Sequence, residues 1–136
     1  MPLSYEIDEE LGLVRTSATG RVTLGELLAG LEELVLRPNL PLPLRELWDG
    51  SAIDDLGISP TDARRAISTL RTWPAFKGAH IALVSGDRDI VFGMSRLVEA
   101  VAYTSGADLE FRAFRDAAEA ERWLVSVRSA ALADTR

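Results

Sequence analysis

The stretch from His80 to Leu124 limits the possible folds more than any other part of the chain. It reads as a strand (His80-Ile81-Ala82-Leu83-Val84), a tight turn (Gly86-Asp87), a helix (Ile90 to Tyr103), a second strand (Leu109 to Phe114) and a second helix (Ala117 to Leu124). Parallel strands need a long crossover connection, usually a helix, so this alternation predicts an α/β domain with parallel strands. The nearly continuous apolar run from Ala79 to Val84 suits a central strand. The stretch carries no catalytic signature.

The rest of the chain extends the pattern. Leu3, Tyr5 and Ile7 alternate with Ser4, Glu6 and Asp8, which predicts a half-buried strand. Glu9-Glu10-Leu11-Gly12 is a turn, and Leu13 to Thr19 is the second strand of an antiparallel hairpin. Thr23 followed by Glu26 is a capping box, and Leu24, Leu27, Leu28, Leu31, Leu34 and Val35 share one helical face. Pro38 stops that helix, and a proline-rich connector leads to a short third strand, Leu44 to Trp48, ending at Asp49-Gly50. Ser59-Pro60-Thr61-Asp62 opens the second helix, with Ser59 as N-cap and Ala63, Ala66, Ile67 and Leu70 inward. The third helix is predicted to bury Ile90, Met94, Leu97, Val98 and Val101, and the last to pack Ala117, Ala120, Leu124 and Val127. Residues from Ser129 onward read as a frayed tail within one domain spanning residues 1–136.

The resulting order is ββαβαβαβα, a five-stranded mixed sheet. Right-handed crossovers between successive neighbours put their helices on one face. The other face is then expected to be exposed, or covered by a partner or an apolar ligand.

Composition removes several classes of function. Net charge is −6, and the fourteen arginines and single lysine are scattered without a basic stripe, which argues against nucleic-acid binding. The absence of cysteine excludes disulfides and thiol catalysis and fits a reducing cytoplasm. No apolar run approaches the ~20 residues of a membrane span, and no signal peptide is visible at Met1-Pro2-Leu3-Ser4-Tyr5.

The segments Leu83-Val84, Gly86-Asp87, Phe92-Gly93-Met94-Ser95-Arg96, Phe114-Arg115-Asp116, Glu119-Ala120 and Trp123-Leu124 resemble the SpoIIAA-like family of STAS-type bacterial proteins. The opening Tyr5-Glu6-Ile7 and the helix entry Thr19-Gly20-Arg21-Val22-Thr23 resemble it too, so the likeness covers nearly the whole chain. It implies a small mixed sheet with helices mainly on one face. It also implies a non-enzymatic module that binds proteins, nucleotides or apolar ligands. The family's prototypes are phosphorylated on a serine of an Asp-Ser-Ser-Gly loop just before a helix. The equivalent stretch here is Leu56-Gly57-Ile58-Ser59-Pro60, which departs from that pattern and argues against a phospho-switch.

The candidate site residues divide by chemistry. Ser59 reads first as an N-cap and second as a phosphoacceptor at a helix N-terminus. Asp49, Asp54 and Asp55 surround the loop expected after the third strand, but their spacing fits no calcium loop and reads as a solvated acidic segment. His80, the sole histidine, reads as a hydrogen-bonded strand residue rather than a general base. Asp89 reads as the N-cap of the third helix rather than part of an anion site. Arg96 lies off the apolar stripe of its helix, where it pairs with Glu99 or contacts a ligand. Trp48, Trp73 and Trp123 are core residues or pocket walls.

The leading expectation is a non-catalytic bacterial binding or regulatory module, with Arg96, Trp48 and Ser59 as binding residues. No catalytic residue, metal or cofactor is expected. The partner is a second copy of the chain, another protein, or a small apolar ligand. The alternatives are a small metal-dependent or hydrolytic enzyme using Asp49, Asp54, Asp55 and His80, and a self-associating structural subunit.

Overall fold

In the N-terminal hairpin, β1 (Leu3–Asp8) pairs antiparallel with β2 (Leu13–Thr23). Gly12 closes the turn at φ +65°, a left-handed conformation that favours glycine, and Asp8 Oδ1 accepts from the Leu11 N–H at 2.9 Å. In the computed structural model, residues 3–134 are described, with side chains described as far as residue 128.

Helix α1 (Leu24–Val35) leads to β3 (Arg45–Gly57), α2 (Pro60–Leu70) to β4 (Ala79–Val84), α3 (Asp89–Ser105) to β5 (Leu109–Phe114), and α4 (Ala117–Asp134) follows. The strands lie side by side in sequence order, and β2 to β5 are mutually parallel. This is the α/β domain with a five-stranded mixed sheet that the sequence predicts. Both helix starts read from sequence carry reciprocal caps. Thr23 Oγ1 accepts from Glu26 N at 3.3 Å while Glu26 Oε1 accepts from Thr23 N at 3.2 Å. At α2, Ser59 Oγ accepts from Asp62 N at 3.1 Å and Asp62 Oδ2 accepts from Ser59 N at 3.0 Å.

Helices α1, α2 and α3 cover one face of the sheet, over a core that includes Val14, Trp48, Ile53, Ile67, Ile81 and Phe111. The other face is not left open, contrary to the sequence expectation. Helix α4 folds back across it, and Ala120 and Leu124 pack on Leu13, Leu47, Ala82 and Val84. The crossover rule governs helices that join two strands. A helix after the last strand is free to take the uncovered apolar face, and burying that face drives it there. An ion pair between Arg15 and Glu121 ties β2 to α4. Helix α4 continues to Asp134, beyond the Ser129 position at which fraying is expected; residues 135–136 lie outside the described residues.

Three further expectations are corrected. Strand β2 runs to Thr23 and β3 to Gly57, with register shifts between Ser17 and Thr19 and between Gly20 and Arg21. Asp54 and Asp55 therefore lie within a strand, not in a loop. In α3 the fully buried residues are Val91, Ser95 and Ala102; Val98 and Val101 of the expected set are half-buried against the same core, and Ile90 alone of that set is exposed, at 66%. Asp89 is the first residue of α3 and not its cap; Arg88 holds the cap position without a side-chain hydrogen bond.

Two outcomes follow from this packing. Ser59→Ala is expected to lower stability by about 1 kcal/mol, the usual loss for an N-cap, read as a lower denaturant midpoint; an unchanged midpoint counts against the capping role. Leu124→Ala is expected to cost about 2–5 kcal/mol, the range for a fully buried leucine. A loss below 1 kcal/mol would mean that α4 does not hold the second face in solution.

Candidate functional site

The face of β3 that meets the helices is set by alternation. Leu44, Glu46 and Trp48 point to it, while Arg45 and Leu47 point towards α4. Opposite them, α2 presents Ala63 and Ala66 and α3 presents Ser95, all small side chains. A cavity of about 110 Å³ remains between sheet and helices, with aliphatic walls from Ile53, Leu56, Ile67, Val91 and Val98 and with Trp48 at one side. A second space of about 160 Å³ adjoins it beneath α1, and Glu46, Trp48 and Leu31 line both.

Glu46 is the unusual member of this wall. It is completely buried. Its Oε2 accepts from Thr16 Oγ1 at 2.6 Å, while among the described residues nothing donates to Oε1. Burial disfavours the charged form and pushes the carboxyl up to about 7; the Thr16 hydroxyl and the nearby Trp48 indole act weakly in the other direction. The indole N–H makes no hydrogen bond of ordinary length and angle with either oxygen, so Oε1 stays without a donor. Among the described residues no cation pairs with it. Arg45, next in sequence, lies on the other face, where its Nη2 donates to the Gly12 carbonyl at 3.3 Å.

The residues singled out from sequence are dispersed. Trp48 lines the cavity. Ser59 is engaged in the capping box of α2. Arg96 lines a separate groove of mixed charge, about 470 Å³, between α3 and the edge strand β5, together with Glu99, the 88% exposed Tyr103, Glu110 and Arg112. Glu99 does not pair with Arg96 there; its Oε2 accepts from Ala113 N at 3.1 Å, capping an open backbone group of the sheet edge.

The acidic residues are spread along β3. Asp49 Oδ1 accepts from Ser51 N and Oγ at 2.9 and 2.6 Å, and Asp55 pairs with Arg21 at 3.3 Å. His80 sits beside Trp123 on the α4 side, with Nε2 3.6 Å from Glu110. In the β3–β4 register Arg45 faces His80 and Asp49 faces Val84, which puts Asp49 and His80 about four strand residues, ~13 Å, apart. Asp89 pairs with Arg115 at 2.7 Å, and the Arg115 guanidinium also lies 4.3 Å from the Phe92 ring centroid. Among the described residues no three His, Asp or Glu side chains converge as a metal-binding set. The Asp49, Asp54, Asp55 and His80 grouping is therefore not assembled.

Glu46 escaped the sequence reading, although a signal existed. A carboxylate between Leu44 and Trp48, in a strand flanked on both sides, shares their apolar face by period two.

No family model matches the sequence, and no curated protein does. Among solved structures, the fold is similar to that of an uncharacterized protein of the DUF3478 family with a SpoIIAA-like fold from Shewanella loihica PV-4. The two align with a TM-score of 0.55 and 20% identity over 90% of this chain and 93% of that one. This chain has a SpoIIAA-like fold. Among the described residues no helix is long and apolar enough to cross a membrane.

The buried carboxyl gives a pH signature. Glu46 ionises at about 7 in the folded protein and near 4.5 when unfolded. Between those values the unfolded chain holds fewer protons, so stability falls as pH rises through that window and levels off above it. The loss is on the order of 3 kcal/mol. Glu46→Gln is expected to remove it, so that the stability difference between variant and wild type shifts towards the variant by that amount from pH 4 to pH 8. A difference independent of pH in chemical denaturation would show that Glu46 is not held in a dry site.

Proposed function

We propose that the domain is a non-catalytic binding module whose ligand is a small apolar molecule held between the sheet and helices α2 and α3. The observation that carries this reading is the cavity of about 110 Å³ walled by aliphatic side chains and Trp48. Protein interiors are close-packed, with few voids larger than a water molecule, so an apolar space of this size is a natural ligand pocket. For scale, an apolar cavity of about 150 Å³ stays dry and takes up benzene. The binding role implied by the STAS resemblance agrees with this chemistry. The dispersal of Asp49, Asp54, Asp55 and His80 gives no support to an enzyme.

The test is a toluene titration followed by amide NMR. Shifts are expected at Ile53, Leu56 and Val91. They are expected to vanish in Ala66→Leu, whose added atoms enter the cavity, while the melting temperature stays at or above that of the wild type. Absence of wild-type shifts at saturating toluene would defeat the reading.

A further inference from the structure

Strand β5 is an outer strand of the sheet, and its free edge runs beside helix α3. Its inner groups are bonded, since the Asp108 and Phe114 carbonyls accept from Gly78 N at 2.7 Å and Ser85 N at 3.0 Å, at the two ends of β4. Alternation therefore turns the N–H and C=O groups of Leu109, Phe111 and Ala113 outward. At Ala113 the outward N–H already has a partner, Glu99 Oε2 of α3 at 3.1 Å. Among the described residues no side chain or loop bonds to the outward groups of Leu109 and Phe111. Alongside them, between the edge and α3, lies the groove of about 470 Å³.

We propose that this groove takes an extended peptide of another protein, which adds to β5 as a further strand and carries an acidic residue followed two positions later by an apolar one. The proposal goes beyond the cavity reading and does not rest on it. Backbone hydrogen bonds to Leu109 and Phe111 supply affinity for an extended segment, and the α3 wall supplies the selection. Arg96, Glu99, Ala100 and Tyr103 recur at three- and four-residue spacing and form one face of α3 along the groove. Arg96 and Arg112 are the cations there, and neither has an ion pair among the described residues. The Arg112 guanidinium lies 5.7 Å from the Phe114 and Trp123 ring centroids, on the α4 side, which leaves Arg96 as the cation of the α3 wall. The carboxylates are engaged, Glu99 with Ala113 N and Glu110 beside His80 Nε2 at 3.6 Å. The open charge of the groove is therefore positive.

Spacing on α3 sets the sequence requirement. Four helical residues from Arg96 to Ala100 cover ~6 Å, and side chains on one face of a strand repeat every ~6.6 Å. A carboxylate that meets Arg96 thus places the side chain two residues along over Ala100, beside the 88% exposed Tyr103. The small side chain of Ala100 leaves room there for an apolar group. A second copy of this chain is a poorer occupant. Antiparallel pairing of β5 with its own copy puts both α3 helices on the same side of the joined sheet, where they compete for the one groove. The other outer strand, β1, carries Glu6 and Asp8 and no cation of its own.

The experiment titrates two capped peptides, acetyl-Thr-Glu-Thr-Val-Thr-amide and the version with lysine in place of glutamate, followed by amide NMR. The wild type is expected to bind the glutamate peptide at least tenfold more tightly than the lysine one. The Phe111 N–H is expected to exchange more slowly with solvent once that peptide saturates the protein. Arg96→Glu is expected to reverse the preference; Arg96 is exposed, so the variant is expected to keep the wild-type melting temperature. The exchange arm uses the wild type alone and stands whatever the variant does. Failure of both peptides to bind at millimolar concentration overturns the proposal. So does a preference for glutamate that survives in Arg96→Glu, or binding that leaves Phe111 exchange unchanged. A wild-type dimer that the peptide cannot dissociate would seat a second copy in the groove and overturns it as well.

Discussion

Everything in this fold depends on β3 and β4 being buried from both sides. β3 pairs in parallel with β2 and β4 along its first half, α1 to α3 lie over one face, and α4 lies across the other. A strand in that position has no solvent face, and its alternating side chains feed two separate cores. Arg45 and Glu46 are neighbours in sequence that could pair in water. The sheet divides them. Arg45 reaches the turn at Gly12, where Arg128 also donates to the Glu10 carbonyl at 3.0 Å, and burial together with the nearby Arg128 lowers its ionisation range. Glu46 finds one hydroxyl and no cation.

The cavity has an equally local cause. Gly50 lets α3 come close to β3, since a Cβ there would lie 3.1 Å from Ile53 Cδ1 and from Val91 Cγ1. Beside this contact, Ala63, Ala66 and Ser95 are too short to fill the space above Trp48 and Glu46. A void of this size forfeits roughly 2–3 kcal/mol at the usual cost per unit volume. The unpaired carboxyl lies at the same place. Two departures from good packing that share one location are more informative than either alone, because such costs gather where a protein keeps a site.

Much of the architecture was legible in the sequence because strong local signals agreed. Alternation at Leu3 to Asp8, the boxes at Thr23 and Ser59, and the apolar run at Ala79 to Val84 each settled an element. The SpoIIAA-like resemblance pointed to the same sheet. The second half of β3 was not legible, since beyond Asp49 it pairs with β2 alone. Ser51, Ala52, Asp54 and Asp55 are exposed there, so the segment reads as a polar loop. In α3 the stripe through Ile90, Met94 and Val101 competes with a neighbouring one through Val91, Ser95 and Ala102. The second is the fully buried one, with Val98 and Val101 half-buried beside it and Ile90 in solvent. Trp48 was legible as a possible pocket wall; Glu46 was not, because identifying a strand is a different step from assigning its faces.

The charges that drew attention in sequence are dense but compensated. Asp49 is bonded to Ser51, Asp55 to Arg21, Asp89 to Arg115, and His80 lies beside Glu110. Each of these partners is available at a partly exposed surface, where an ion pair adds little and the groups stay close to water. Density of charge therefore marks solvation in this protein. What distinguishes Glu46 is that a single hydroxyl, with no paired cation, is its hydrogen-bond partner in a place from which water is excluded. The protonation of a carboxyl held there is set by its burial first, and by the Thr16 hydroxyl and the Trp48 indole second.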